Sequence, residues 1–272
     1  MSTTTRKSRL LALTGASVVV ALTTVGCAGD GQSGIPTESP GPPAATETVT
    51  ASPATTEAPA VPVGDVPGNA AAAEALQAWV NDLVSGNDVT AECWTIAPDR
   101  AEAMYSDVDA ITAAVQRPGQ DGQYAVTWSA DGTDVSVLRS EIASGYACPY
   151  VHPAGGDIYT GRDAVYAVER FLGRATGDPV HSDDTEENYP LICPGREIWD
   201  PWGTGSPGAP PLSMVPDALG DVTTFDAESG TFSPLDEVYG SVTIPVVEAG
   251  TARDLVVYVT TASNGYCLGA VD

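Results

Sequence analysis

Lysine is almost absent from this chain, and histidine is rare. Lys7 is its only lysine, and the 272 residues carry 11 basic side chains against 36 acidic ones. The formal net charge is −25 at pH 7. A field of this sign repels phosphate groups, which argues against nucleic acid and anionic lipid headgroups as partners. The scarcity of lysine, with the abundance of alanine, threonine and glycine, suggests a GC-rich, actinobacterial genome.

The N-terminal apolar run is too short to span a bilayer. It extends over residues 10–25 and includes several Thr, Ser and Gly residues, whereas a spanning helix needs roughly 20 predominantly apolar residues. Arg6, Lys7 and Arg9 precede the run, and the small residue Gly26 follows it. A basic start, a short apolar segment and small residues before a cleavage site are typical of an export signal.

The signal ends with Thr24-Val25-Gly26-Cys27. These residues resemble the lipobox of bacterial lipoprotein precursors, roughly Leu-Ala-Gly-Cys, with Thr24 in place of the usual leucine. The resemblance implies that residues 1–26 are removed and that the thiol of Cys27 is acylated. The mature protein would then be anchored to the outer face of the cell membrane, stably so because more than one acyl chain is attached. The alternative is an ordinary secretory signal that leaves Cys27 unmodified.

Residues 27–68 begin with the lipidated cysteine and continue as Pro, Thr, Ala, Ser and Glu, without an aromatic residue or an apolar period. This composition cannot bury enough apolar surface to offset the entropy lost on ordering, so we predict a disordered tether as far as Gly68. Removal of residues 1–26 leaves eight arginines against 36 acidic residues, a formal charge of −28.

Helical spacing begins at Asn69, which can cap a helix that ends at Gly86. A second helical stretch follows Pro98, and Ser106 with Asp109 can form a capping box that divides it. Apolar and other residues alternate over residues 124–128, which predicts a strand, and Asp131-Gly132 predicts a hairpin turn after it.

A second helix-then-strands pattern begins at Thr160, whose hydroxyl can form a capping box with Asp163. Three strand-like stretches follow near the C-terminus, and Asn264-Gly265 predicts the last hairpin. Pro245 lies inside the first of these strands and predicts an edge position for it.

The two patterns share a Gly-Thr turn, a central strand and a Gly-Tyr step close to a cysteine. We therefore predict an α+β fold of two similar modules, 69–153 and 154–272, each with helices followed by a three-strand antiparallel meander. Chance similarity between two polar hairpins is the alternative. The layout is loosely similar to the cone-shaped nuclear-transport-factor-like α+β fold, a likeness that no motif carries.

Four cysteines follow Cys27, and an even number in an exported chain predicts disulfides. Three pairings are possible, and the similarity of the two modules favours Cys93–Cys148 and Cys193–Cys267. The chain has no CxxC motif and two histidines, so neither a zinc site nor any other cofactor is expected.

No sequence pattern identifies a catalytic site. Residues 203–208 match GxGxxG by letter, but Pro207 interrupts them and a proline-rich stretch follows where a helix should begin. No serine lies in a GxSxG motif. A Ser-His-Asp arrangement would need His152 or His181, and we expect both to be solvated loop residues. Among 36 acidic residues, no glycosidase-type pair stands out.

Two surface stretches are candidates for interactions. The acidic loop 181–188 lacks the spacing of a calcium loop, so we expect it to be solvated. Trp199 and Trp202, in a Gly- and Pro-rich stretch, can stack on wall sugars or contact a protein, or else cover module two. The sequence thus favours a non-enzymatic binding module of the cell envelope, with wall polysaccharide or an envelope protein as partner. The alternative is an envelope hydrolase or hydrolase accessory that uses Asp and Glu as acid and base.

Overall fold

The structure, a computed structural model, describes residues 61–194, 210–215 and 217–272. All of them belong to one unit, which extends from Thr55 to Asp272. The fold is α+β, as the sequence predicts. In the described residues, helices pack on two antiparallel sheets, and each sheet has its own hydrophobic core. No helix in these ranges combines the length and the apolarity that crossing a bilayer requires.

Helix α1 opens the first half of the fold. It buries Leu76, Trp79 and Val80 and ends where Gly86 takes a left-handed φ of 72°, a conformation that glycine adopts without strain. Asn69 occupies the N-cap position but makes no capping hydrogen bond. The elements of this half are α1 (Ala70–Ser85), α2 (Val89–Glu92), α3 (Pro98–Met104), α4 (Val108–Val115), β1 (Gln120–Asp121), β2 (Ala125–Ala130), β3 (Thr133–Leu138), α5 (Arg139–Ile142) and β4 (Tyr150–Pro153).

The break between α3 and α4 lies where the sequence predicts it, but a different residue caps α4. The side chain of Asp107 accepts a hydrogen bond from the backbone N–H of Ala110 at 3.0 Å. Ser106, the predicted cap, instead donates to the carbonyl oxygen of Ala103 at 2.8 Å. An aspartate one position later serves equally well as an N-cap, so the predicted capping box of Ser106 and Asp109 is wrong.

The first sheet follows chain order, β1-β2-β3-β4, and is antiparallel throughout. Trp128 pairs with Val135 across β2 and β3, and both residues are fully buried in the first core. The turn between these strands has positive φ at both Asp131 (49°) and Gly132 (88°), which matches the twist of a two-residue hairpin. Predicting three strands was wrong, because two-residue β1 is too short to leave a pattern in the sequence.

The predicted tether ends earlier than expected. Residues 61–68 pack on the first half, so the prediction of disorder as far as Gly68 is wrong for them. The side chain of Gln77 accepts from the N–H of Val63 at 2.8 Å and donates to the carbonyl of Val61 at 2.9 Å. The indole of Trp128 donates to the carbonyl of Gly64 at 2.9 Å. These contacts are long-range, so composition alone did not indicate them.

Helix α6 and the second sheet form the other half of the fold. As predicted, Asp163 and Thr160 form a capping box at the start of α6, where the carboxylate accepts from the N–H of Thr160 at 2.6 Å. The elements of this half are α6 (Gly161–Thr176), 3-10 turns at Leu212–Met214 and Ala227–Ser229, β5 (Val222–Phe225), β6 (Thr231–Pro234), β7 (Tyr239–Glu248), β8 (Thr251–Ala262) and β9 (Gly265–Val271).

The second sheet has five strands, in the order β5-β7-β8-β9, with β6 also paired to β7. The prediction of three strands was wrong here as well, because the four-residue strands β5 and β6 lie in a stretch rich in Gly, Pro and Asp. The predicted hairpin at Asn264-Gly265 joins β8 to β9.

Strand β7 is not an edge strand, contrary to the prediction from Pro245. It pairs with β8 on one side and with β5 and β6 on the other. The carbonyl of Pro245 accepts from the N–H of Asp226, which lies between β5 and β6. In a strand the N–H and C=O of one residue point to the same side, so the N–H that proline lacks would face the gap between those two strands. An interior position is therefore tolerated.

Each half contains one disulfide, Cys93–Cys148 in the first and Cys193–Cys267 in the second. This is the pairing that the sequence analysis favours. All four cysteines are buried. Protein disulfides of this kind form and persist in oxidising environments, which indicates an extracytoplasmic location.

Candidate functional site

A cleft of about 640 Å³ lies between the two halves of the fold, and we call it the seam cleft. Small-molecule sites typically have volumes of ~300–1,000 Å³ and often form where two structural units meet. The end of β3, the connection to α6, the β6–β7 turn and the β8–β9 hairpin all contribute lining residues. The described lining residues are Tyr124, Leu138, Gly156, Asp157, Ile158, Tyr159, Glu237, Thr261, Ala262, Ser263 and Tyr266.

Tyrosine rings from both halves line the seam cleft. Tyr159, before α6, meets Tyr266 of β9 edge-to-face, with ring centroids 6.2 Å apart. Tyr159 also meets Tyr150 of β4 at 5.2 Å, and Phe232 of β6 supports Tyr266 at 5.9 Å. Tyr124 contributes the most exposed ring, with 56% of its surface accessible. The lining therefore combines two partly buried tyrosines, which contact each other, with one that is mostly exposed.

The charged side chains among the described lining residues are both acidic, Asp157 and Glu237. Burial raises the pKa of Tyr266, and the nearby charges of Asp163 and Asp157 raise it further. Burial also raises the pKa of Tyr159, and the nearby charges of Asp163 and Glu141 raise it further. Tyr159 and Tyr266 therefore stay neutral, and the charged groups of the described lining are carboxylates.

Two small cavities adjoin the seam cleft: one shares Leu138 with it as a lining residue, and the other shares Tyr159 and Tyr266. Their volumes are about 90 and 30 Å³. Arg170 of α6 and Tyr150 line both of them. A water molecule occupies ≈ 30 Å³ of liquid volume, so these cavities have room for a few waters but not for a sugar residue.

Two carboxyl groups with raised pKa values line these small cavities. Burial raises the pKa of Glu141, against the opposing effects of the Cys148 N–H and the charge of Arg170. Burial also raises the pKa of Asp163, although Arg100 lies 2.8 Å away and Thr160 donates to it. Shifted carboxyls of this kind can act as general acids, but structural ion pairs shift pKa values as well.

The acidic loop is exposed, as the sequence predicted, except at Asp184, which α6 binds through arginines. Asp184 is fully buried and accepts from Arg170 at 2.6 and 3.3 Å and from the Nε of Arg174 at 3.1 Å. Glu186 accepts from Arg174 and from the backbone N–H groups of residues 191 and 192. Asp183 and Glu187 remain exposed.

His181 is exposed in a loop, as the sequence predicted, whereas His152 is buried in a strand, contrary to the prediction. His181 stacks on the ring of Trp94, with centroids 4.8 Å apart and planes 8° from parallel. Trp94 also lies under the guanidinium of Arg170, at 5.1 Å. His181 and Arg170 thus both contact the ring of Trp94, and a flat imidazole packs well on an indole face.

His152 lies in β4, and its Nε2 is 3.0 Å from the hydroxyl of Ser136 on β3. Asp134 faces it across the sheet, so three residue types of a hydrolase triad lie together. They do not form a triad, because Nδ1 of His152 contacts the carbonyl of Pro153 at 3.1 Å and Asp134 accepts from Gly155. Ser136 is also fully buried, so the cluster is structural.

Several predicted sites lie outside the described residues: Cys27, Trp199, Trp202 and the GxGxxG-like stretch 203–208. Their predicted roles stay predictions. The sequence did not reveal the tyrosines of the seam cleft, because Tyr124, Tyr159 and Tyr266 are far apart along the chain. In the sequence, only Tyr266 was part of a noted pattern, the Gly-Tyr step at residues 265–266.

Comparison of the chain with protein-family models, with curated proteins and with solved structures found no match.

Proposed function

We propose that this chain is a non-enzymatic lipoprotein of the cell envelope, anchored through Cys27 to the outer face of the membrane, which binds a ligand in the seam cleft. The observation that carries the proposal is the cleft itself, an open cavity with tyrosine rings from both halves of the fold. The lipobox-like residues 24–27 support the anchor, and the two disulfides agree with an oxidising environment. This location offers a wall polysaccharide or an envelope protein as a partner, and the volume of the cleft admits a small molecule or a single group of such a partner.

We also propose that the two halves, 69–153 and 154–272, are related modules. The turn between β7 and β8 supports this, because Ala249 and Gly250 have φ values of 48° and 80°, close to those of Asp131 and Gly132. In both halves a threonine follows the turn and begins the next strand. Each half also has a helix packed on an antiparallel sheet and one disulfide.

Filling the seam cleft is expected to abolish ligand binding. Ser263 is exposed on the cleft wall, so Ser263→Trp inserts an indole there without replacing a buried side chain. The measurement is the thermal unfolding of the mature chain with a library of metabolites and wall fragments. A ligand at 100 times its Kd stabilises a protein by ≈ 2.7 kcal/mol, and we expect Ser263→Trp to lose that stabilisation.

The matched control is Ala218→Trp, which adds the same side chain at an exposed turn away from the cleft. It should respond to every compound as the wild type does. Equal stabilisation of the wild type and Ser263→Trp would place binding elsewhere, and a library that never stabilises the wild type would argue against the binding function.

An envelope hydrolase, or an accessory to one, is the second candidate, favoured by the raised pKa values of Glu141 and Asp163. Glu141→Gln separates the two functions. For a binding protein, we expect no release of reducing sugar from wall material by either form. We also expect Glu141→Gln to be more stable than the wild type at neutral pH, because burial disfavours the ionised carboxylate of Glu141 in the folded state. Hydrolysis by the wild type that Glu141→Gln abolishes would support the hydrolase instead.

A further inference from the structure

We propose that the ligand of the seam cleft is a small organic cation, whose ammonium or guanidinium group lies between the tyrosine rings and the carboxylates of Asp157 and Glu237. The inference rests on the proposed binding function and adds the chemical class of the ligand.

The charge of the lining is the first argument. Asp157, on the connection to α6, and Glu237, in the β6–β7 turn, both line the cleft. No arginine is among the described lining residues. An anionic ligand would meet two carboxylates here with no cation to offset them, so the lining selects against it.

The distribution of arginine gives the second argument. Of the seven arginines in the described ranges, six form ion pairs with carboxylates of the chain: Arg100, Arg139, Arg162, Arg170, Arg174 and Arg253. Carboxylates greatly outnumber arginines in the mature chain, so most of them have no internal cation. A cationic ligand supplies in the cleft the countercharge that the chain itself does not.

The tyrosines give the third argument. A cation within about 6 Å of an aromatic centroid is attracted by the negative face of the ring, more strongly as water is excluded. Tyr159 and Tyr266 are partly buried and Tyr124 is mostly exposed, so an entering cation passes from a solvated ring to desolvated ones. A neutral sugar would also stack on tyrosine, but it would gain no Coulomb attraction from Asp157 and Glu237.

The test is a calorimetric titration of the mature chain with agmatine and with tetramethylammonium, against N-acetylglucosamine as a neutral probe. We expect saturable binding of both cations that weakens as salt is added, and none of the sugar. Asp157→Asn with Glu237→Gln should lower cation affinity by about tenfold or more, the effect of losing ~1.4 kcal/mol of attraction. Tyr124→Leu, at an exposed position, should weaken binding without affecting folding.

The matched control is Asp217→Asn with Glu228→Gln, which removes two exposed carboxylates of the same half without touching the cleft. Its affinity should stay within about twofold of the wild type, because distant surface charges are screened. If both double variants lose the same affinity for the cations, the loss comes from the overall charge of the protein and not from the cleft, and the inference is overturned. Binding of the sugar alone, blocked by Ser263→Trp, would overturn the cation while leaving the proposed function intact. If no probe binds, the inference that the ligand is a cation is overturned. The library screen with Ser263→Trp then tests the binding function separately.

Discussion

Replacing Asp184 by alanine is expected to lower the free energy of unfolding by about 3–5 kcal/mol, because breaking a buried ion pair leaves its partner charged and unpaired. The carboxylate is fully buried, and both Arg170 and Arg174 donate to it. Removing it leaves two guanidinium groups with little solvent access, at 7% and 12% side-chain exposure. It also detaches the acidic loop from α6. Urea denaturation of the mature chain measures the change.

Asp183, the preceding residue, gives the matched control. Its side chain is 69% exposed and lies 3.9 Å from His181, so Asp183→Ala should change stability by no more than about 0.5 kcal/mol. Similar losses for the two variants would mean that the loop backbone, and not the ion pair, determines the cost. That result would contradict the role assigned to Asp184.

The same contact predicts a dependence on pH. Burial alone would raise the pKa of Asp184, but hydrogen bonds from Arg170 and Arg174 and their charges outweigh it and lower the pKa. A depressed pKa in the folded state stabilises the protein above the unfolded value of about 3.9, and this contribution disappears as pH falls through the folded value. Asp184→Ala should therefore flatten the acid side of the stability profile. An unchanged acid limb would show that other carboxylates determine it.

Signals that act over a few residues were sufficient to predict much of the fold. The helix that ends at Gly86, the capping box of Thr160 and Asp163, and the turn at Asp131-Gly132 each depend on local backbone geometry and neighbouring side chains. For the same reason the α+β class was predicted correctly. Pro245 shows the limit of such rules, because its effect on β7 depends on where β5 and β6 begin and end.

Contacts between distant residues account for what the sequence did not predict. In the sequence, nothing distinguishes Asp184 from the other acidic residues of its polar loop. Its role depends on Arg170 and Arg174, which α6 places against it. Tyr159 and Tyr266 are separated by most of the second half and meet only when β9 passes beside α6. The candidate site consists of such contacts, so its residues could not be identified from spacing. The cysteine pairing was favoured by the similar order of elements around the cysteines in the two predicted modules, and the structure contains it.

Removing both disulfides is expected to leave the chain largely unfolded under physiological conditions. Cys93–Cys148 and Cys193–Cys267 join residues 55 and 74 positions apart. The chain-entropy estimate for loops of this length is about 4 kcal/mol each, although measured gains are often smaller. Two such terms are comparable with the whole stability of a typical domain, ~5–15 kcal/mol. Urea denaturation of a variant with all four cysteines replaced by alanine tests this.

The control is Cys27→Ala, which removes the proposed lipid attachment but neither disulfide. It should unfold at the same urea concentration as the unlipidated wild type, because Cys27 precedes the unit that contains both cores.

The two disulfides would then link the folding of the chain to its export, because they form only in an oxidising environment. In a reducing cytosol both loops stay open and the two cores lose this stabilisation, whereas in an oxidising environment the disulfides close. One of them then holds Cys267 in β9, the strand whose Tyr266 lines the seam cleft. A reduced chain with unchanged free energy of unfolding would contradict that link.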